Sequence, residues 1–354
     1  MSACGSIPSP VAARRGNGRL TRRHHRVLAV QAVLAAGFAM ACVSPSATAT
    51  ELESYRRRAG KPVVADTAPA TARGRYALQR VRLVSSTGLS AVGQLLRPAD
   101  GAGCYAAVLL QDGREENSGV IGRLPAEFGD VVVLSLDYPA SVPMSLRLRD
   151  LVLHGRRVRS STGDIPALFL LGAQYLAWRE DIDTTRMALA ATSFAVPFAT
   201  IAAAADTRFR DVTLIYGAGD LPAVLAANLT ARPRMLRRPL AWLAMRPFAA
   251  LAPERFIGRI APRRVTLVNG IDDPQMPATA VRHLFDAARA PKALIWLRTG
   301  HLMPTDSALI RTLVDTAFAR MPVLRVPPSA KGCHVRDSTR ADRHRAVQAL
   351  VGPR

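Results

Sequence analysis

The chain has 354 residues, about half of them apolar, which is enough for one large domain with extra segments or for two modest ones. Its formal charge of +22 comes from 48 basic against 26 acidic residues, and all but three of the basic residues are arginine. Arginines scattered without lysine runs, few aromatic residues, and no zinc-ligand spacing or RNA-binding motif argue against nucleic acid as a partner.

The first 49 residues hold six arginines and no acid, and after Arg26 an uncharged run of 17 residues, VLAVQAVLAAGFAMACV, leads into small residues. A basic stretch, an apolar stretch and a small-residue exit make the pattern of an export signal over residues 1–49. Ala39-Met40-Ala41 and Ala47-Thr48-Ala49 both have the Ala-x-Ala form of a cleavage site, and the turn to polar sequence favours cleavage after Ala49. The mature chain would carry about +16 and be periplasmic or secreted. The alternatives are an uncleaved membrane anchor, for which the run is short, and lipidation at Cys42. Of the remaining cysteines, Cys104 and Cys333 either pair in an oxidising compartment or stay as separate thiols.

Residues 50–75 are polar and read as a linker. From Tyr76 the pattern changes. LQRVRLVSS and LSAVGQLLRP alternate apolar and polar positions around Thr87-Gly88, which predicts an antiparallel hairpin. CYAAVLLQDG, DVVVLSLDYP, RMALAATSF, DVTLIYG, RRVTLVNG and KALIWLRTG are nearly continuous apolar runs, as strands covered on both faces should be. Between them LPAEFG, IPALFLLGAQYLAWRE, FAVPFATIAAAA, TAVRHLFDAAR and ALIRTLVDTAFAR have helical period. Strand alternating with helix predicts an α/β domain over 76–322 with a mostly parallel sheet covered on both faces. An insertion at about 221–262 is longer than one crossover helix needs and contains several prolines, so it predicts two or three short helices. These would form a lid over the site or, through arginines set among Leu236, Leu240, Trp242 and Leu243, an interfacial segment in peripheral contact with anionic membrane. Residues 323–354 read as a basic, aperiodic tail.

Ligands of such sheets bind at the carboxyl ends of the strands. Ser193 stands at one, where MALAAT hands over to an alanine-rich helix, with Ala191 and Ala195 two residues to either side. Asp272 and Asp273 follow the strand RRVTLVNG, and His301 follows KALIWLR. Serine, acid and histidine in that chain order suit nucleophilic acyl transfer: the histidine takes and returns a proton, and the carboxylate fixes its tautomer.

From Tyr76 to Met321 the sequence resembles the α/β-hydrolase superfamily in its exported esterase and lipase-like branches. The resemblance rests on Gly270-Ile271-Asp272-Asp273-Pro274-Gln275-Met276-Pro277, on Gly300-His301 and on Asp137-Tyr138. It implies an α/β-hydrolase fold, Ser193, Asp273 and His301 as catalytic residues, a small-molecule ester or lipid-like substrate, and no metal or organic cofactor. It also implies an oxyanion site of backbone N–H groups, from Phe194 and from Gly113 or Arg114. The chain departs from the family in having Ala-x-Ser-x-Ala where Gly-x-Ser-x-Gly is usual, and Gln111-Asp112-Gly113-Arg114 where His-Gly is usual. Asp112 would bring negative charge near a developing oxyanion unless a cation such as Arg114 offsets it. The expected activity is carboxylic-ester hydrolysis; an acyltransferase with the same triad and a catalytically inactive binding or envelope protein on this fold are the alternatives.

Overall fold

In the computed structural model the described residues are 45–100, 103–113, 117–125, 129–139, 155, 158–230, 233–302, 306–327 and 333. The apolar run expected as a signal, Cys42, Arg114 and most of the basic tail lie outside them. No helix among the described residues is long and apolar enough to cross a membrane.

The strands are β1 (Pro62–Thr67), β2 (Thr71–Arg73), β3 (Tyr76–Ser85), β4 (Ser90–Pro98), β5 (Tyr105–Gln111), β6 (Val131–Leu136), β7 (Ile182–Thr192), β8 (Phe209–Ile215), β9 (Arg264–Gly270) and β10 (Lys292–Leu297). They form one sheet in the order β1-β3-β4-β6-β5-β7-β8-β9-β10, with β2 paired to β3. The six strands β5 to β10 run parallel, and β1 to β4 form the antiparallel part, joined to them where β4 pairs antiparallel with β6. The expected hairpin joins β3 to β4: Gly88 takes φ +77°, which glycine adopts without a side-chain clash, and its N–H donates to Ser85 O at 3.0 Å.

Period-two alternation splits the buried strand residues between two cores. On one face Leu109, Leu134, Leu189 and Leu214 pack against α2 (Ile165–Trp178) and α3 (Val196–Ala205). On the other, Val108, Val133, Ala188 and Val268 pack against Ile121, Leu124 and α7 (Ser307–Ala319). The expected helix over LPAEFG is not formed by its described residues; a 3₁₀ helix at Asn117–Arg123 stands just before it. The insertion contains α4 (Leu221–Asn228), α5 (Arg237–Met245) and several 3₁₀ turns, and α6 (Ala278–Ala287) follows β9.

Two expectations are corrected. The stretch read as a linker carries α1 (Pro45–Ala59), β1 and β2. Its polar surface misled because its arginines are used in tertiary contacts. Arg58 grips the Asp164 carboxylate with two bonds of 2.9 and 2.7 Å, Arg56 Nε donates to Ala205 O at 2.7 Å, and Glu51 accepts two bonds of 2.9 Å from Arg255, while Leu52 and Ala59 are buried. The start of the tail is likewise anchored. Buried Arg186 holds Asp183, Cys104 O and Val326 O at 2.9, 2.6 and 2.7 Å, and Cys333 is disulfide-bonded to Cys104, 229 residues earlier.

Candidate active site

The chain leaves β7 at Thr192 and turns at once through the 3₁₀ segment Ser193–Ala195 into α3. Ser193 takes φ +51°, a left-handed conformation that costs a non-glycine residue on the order of 1–3 kcal/mol and persists only where its surroundings impose it. Here a buried strand and a buried helix impose it. Ala191 and Ala195, two residues to either side, are both fully enclosed.

The two loops that follow β9 and β10 are laced together. Ile271 N–H donates to Leu297 O at 2.8 Å and Asp272 N–H to Thr299 O at 3.2 Å. Gly270 makes that approach feasible: a Cβ there would stand 2.9 Å from Gly300 O and closer still to Thr299 O. Of the two carboxylates in the first loop, Asp272 is exposed and Asp273 turns inward.

These elements bring Ser193, His301 and Asp273 into one chain of contacts. Asp273 Oδ2 lies 2.7 Å from His301 Nδ1, and His301 Nε2 lies 3.5 Å from Ser193 Oγ. Asp273 Oδ1 accepts from the N–H groups of Gln275 and Met276 at 2.8 and 3.3 Å, which fixes the carboxylate. A carboxylate can only accept, so His301 Nδ1 carries the proton and Nε2 is left to accept from the serine. Such a set can abstract the Ser193 proton as the oxygen attacks and return it to a leaving group.

Two further residues, unassigned from sequence, complete the frame. Tyr216, at φ +52° just beyond β8, is fully buried with its ring 4.9 Å from the His301 ring and its hydroxyl 3.3 Å from Thr299 Oγ1. Burial pushes the Tyr216 phenol above its ordinary range, the Thr299 hydrogen bond opposes this, and the negative charges of Asp273 and Asp306 add to it, so the hydroxyl stays neutral. A tyrosine closing a strand in LIYG is the only sequence signal for it. Gln275 borders the space around Ser193, and its carbonyl accepts from Asn228 Nδ2 of α4 at 2.9 Å, tying the insertion to the Asp273 loop.

Ser193, Phe194 and Gln275 stand where two cavities meet. One, about 320 Å³, also borders Asp112, Gly113, His301 and the apolar residues Leu302, Leu313 and Phe318. The other, about 310 Å³, reaches under the insertion along Phe198, Leu225, Met245, Phe248 and Leu251. Phe194 and Gly113, two of the residues expected to present N–H groups, thus both face the Ser193 cavity; Arg114, the third, is outside the described residues. The Asp112 carbonyl accepts from Tyr138 OH at 2.6 Å, and the Tyr138 ring stacks edge-on to Phe194 at 5.4 Å, bracing this loop against the Ser193 turn. No group of three or more potential metal ligands exists among the described residues.

No protein-family model and no curated protein sequence matches the chain. Solved structures do. Acetyl xylan esterase 1 from Thermoanaerobacterium sp. JW/SL YS485 superimposes with a TM-score of 0.55 at 14% identity, over 78% of this chain and 94% of the other. An acetyl xylan esterase from Paenibacillus sp. R4 gives 0.55 and 14%, over 75% and 93%. At that identity the likeness concerns the fold.

Proposed function

The chain has the α/β-hydrolase fold, and from that premise we propose that it is an exported serine hydrolase acting on carboxylic esters. The observation that carries the reading is the contact chain Ser193–His301–Asp273 with the serine held in a left-handed turn. Ser193 Oγ attacks the acyl carbonyl while His301 Nε2 takes its proton; the 3.5 Å separation is of the kind that tightens when substrate binds. Asp273 holds the imidazole by Nδ1 and stabilises it once charged. The N–H groups of Phe194 and Gly113 receive the developing oxyanion. His301 then gives its proton to the departing alcohol and activates the water that clears the acyl-enzyme, so bonds and protons balance over the cycle.

The apolar linings of the two cavities favour an ester with an apolar acyl or alcohol portion, and the esterase names of the similar structures agree with ester chemistry. In this reading the insertion is a lid, since Leu225, Met245, Phe248 and Leu251 roof the second cavity. Export is supported by the N-terminal pattern and by the Cys104–Cys333 disulfide, which persists in oxidising compartments. Cleavage after Ala41 would leave α1 whole, whereas cleavage after Ala49 would remove its first turn. A burst of about one equivalent of p-nitrophenol from p-nitrophenyl butyrate, then steady turnover, is expected, with both lost in His301→Ala. Release accelerated by an added alcohol with formation of a new ester would make the enzyme an acyltransferase, and absence of any burst or turnover would overturn the proposal in favour of an inert binding protein.

A further inference from the structure

The insertion has two faces of opposite character. Its inner face buries Ala241, Ala244 and Phe248 and roofs the second cavity. Its outer face leaves Met235, Leu236, Trp242 and Leu243 exposed, at 79, 46, 48 and 55% of their surface. These are four of the six large hydrophobic residues exposed among the described residues, so the exposure is concentrated here and is not the ordinary scatter of single apolar side chains. Arg234, Arg238 and Arg246 are exposed among them, and the Arg246 guanidinium lies 4.9 Å over the Trp242 ring. From Leu221 to Pro253 the sequence contains five arginines and no acid.

We propose that this face docks on an anionic membrane surface, with Met235, Leu236, Trp242 and Leu243 in the boundary between headgroups and acyl chains and the arginines at phosphate level. An amphipathic helix with apolar residues on one side and arginines beside them has the composition for this. The alternative occupant, a second copy of the chain, is disfavoured by charge. A two-fold contact through this face would bring two arginine-bearing surfaces together, with no acid between Leu221 and Pro253 to pair with them, whereas lipid phosphates supply the countercharge. Docking would bring the roof of the second cavity to the lipid surface. The proposal stands independently of the catalytic reading, because it concerns binding alone.

The test uses the full chain carrying Ser193→Ala, so that lipid is not consumed, in co-sedimentation with phosphatidylglycerol–phosphatidylcholine vesicles and with pure phosphatidylcholine vesicles. The neutral vesicles report binding by apolar contacts alone, those of the N-terminal run included. Tighter binding to the anionic vesicles, weakened by salt and accompanied by a blue shift of tryptophan emission that Trp242→Ala abolishes, is expected. Each arginine near an anionic surface is worth about five-fold in partitioning, so Arg234→Glu with Arg238→Glu should reduce it by at least about 25-fold. Trp242→Ala with Leu243→Ala should lower binding to both vesicle types at an unchanged melting temperature, since both side chains are exposed. Equal binding to anionic and neutral vesicles, or anionic binding untouched by the arginine reversals, would overturn the proposal. So would a dimer in solution that Trp242→Ala with Leu243→Ala dissociates, which would assign the face to a second copy.

Discussion

Replacing Gly270 with alanine should damage the site through backbone alone. The added Cβ would sit 2.9 Å from Gly300 O and nearer to Thr299 O, whereas ordinary contact begins at 3.4 Å, so the loop carrying His301 must retreat by at least about 0.5 Å from the loop carrying Asp273. A misplacement of about 1 Å at a reacting group costs roughly 100-fold in rate, so a loss of about 10- to 100-fold in kcat/KM is expected, or about 1.4–2.7 kcal/mol of transition-state stabilisation. Overpacking costs about 1–3 kcal/mol in stability, and at roughly 2–4 °C per kcal/mol the melting temperature should fall measurably without unfolding the protein at room temperature. The assay is hydrolysis of p-nitrophenyl butyrate alongside a thermal melt. A Gly270→Ala protein with native kcat/KM would refute the argument that this close approach sets the Asp273–His301 geometry.

Tyr216 is expected to position His301 through its ring and not through its hydroxyl. Tyr216→Phe should therefore stay within about three-fold of native kcat/KM with an unchanged pH profile, while Tyr216→Leu should lose about ten-fold; equal losses in both would contradict this. A third expectation concerns stability and pH. Burial raises the Asp211 carboxyl above its ordinary range, against the opposing pull of Val323 N–H and Arg264. The folded state therefore holds that proton more tightly than the unfolded chain. The resulting stability is complete below the unfolded pKa, about 4, and is lost as pH rises through the folded value, above which the buried carboxylate burdens the fold. Asp211→Asn should raise the melting temperature at pH 7 and have no effect by about pH 3; a lower melting temperature at pH 7 would mean that Arg264 outweighs burial.

The eight strands from β3 to β10 were legible because each is a continuous apolar run or a clean alternation, and the helices between them because their apolar positions recur at helical spacing. The α1–β2 region was not, since its stabilising contacts are long-range bonds from arginines that look like solvated charge in sequence. The approach of Asp273 to His301 could be anticipated from two strand ends in a parallel sheet. The Cys104–Cys333 bond could be raised only as one of two options, because pairing depends on a Cα separation, here 5.2 Å, that no local pattern encodes. The same holds for Tyr216 and the two cavities: each is made where surfaces from distant segments meet. The alanines flanking Ser193 are a departure from the family pattern that the fold accommodates without steering Ser193 out of the left-handed region.

In the proposed mechanism Ser193 is a nucleophile activated by His301. Treatment of the folded protein with a fluorophosphonate probe, followed by peptide mass mapping, tests it directly. Label on Ser193 alone, absent in Ser193→Ala and at least about 100-fold slower in His301→Ala, is the predicted result. No label on the native protein, or label on Ser193 at an undiminished rate in His301→Ala, would contradict it.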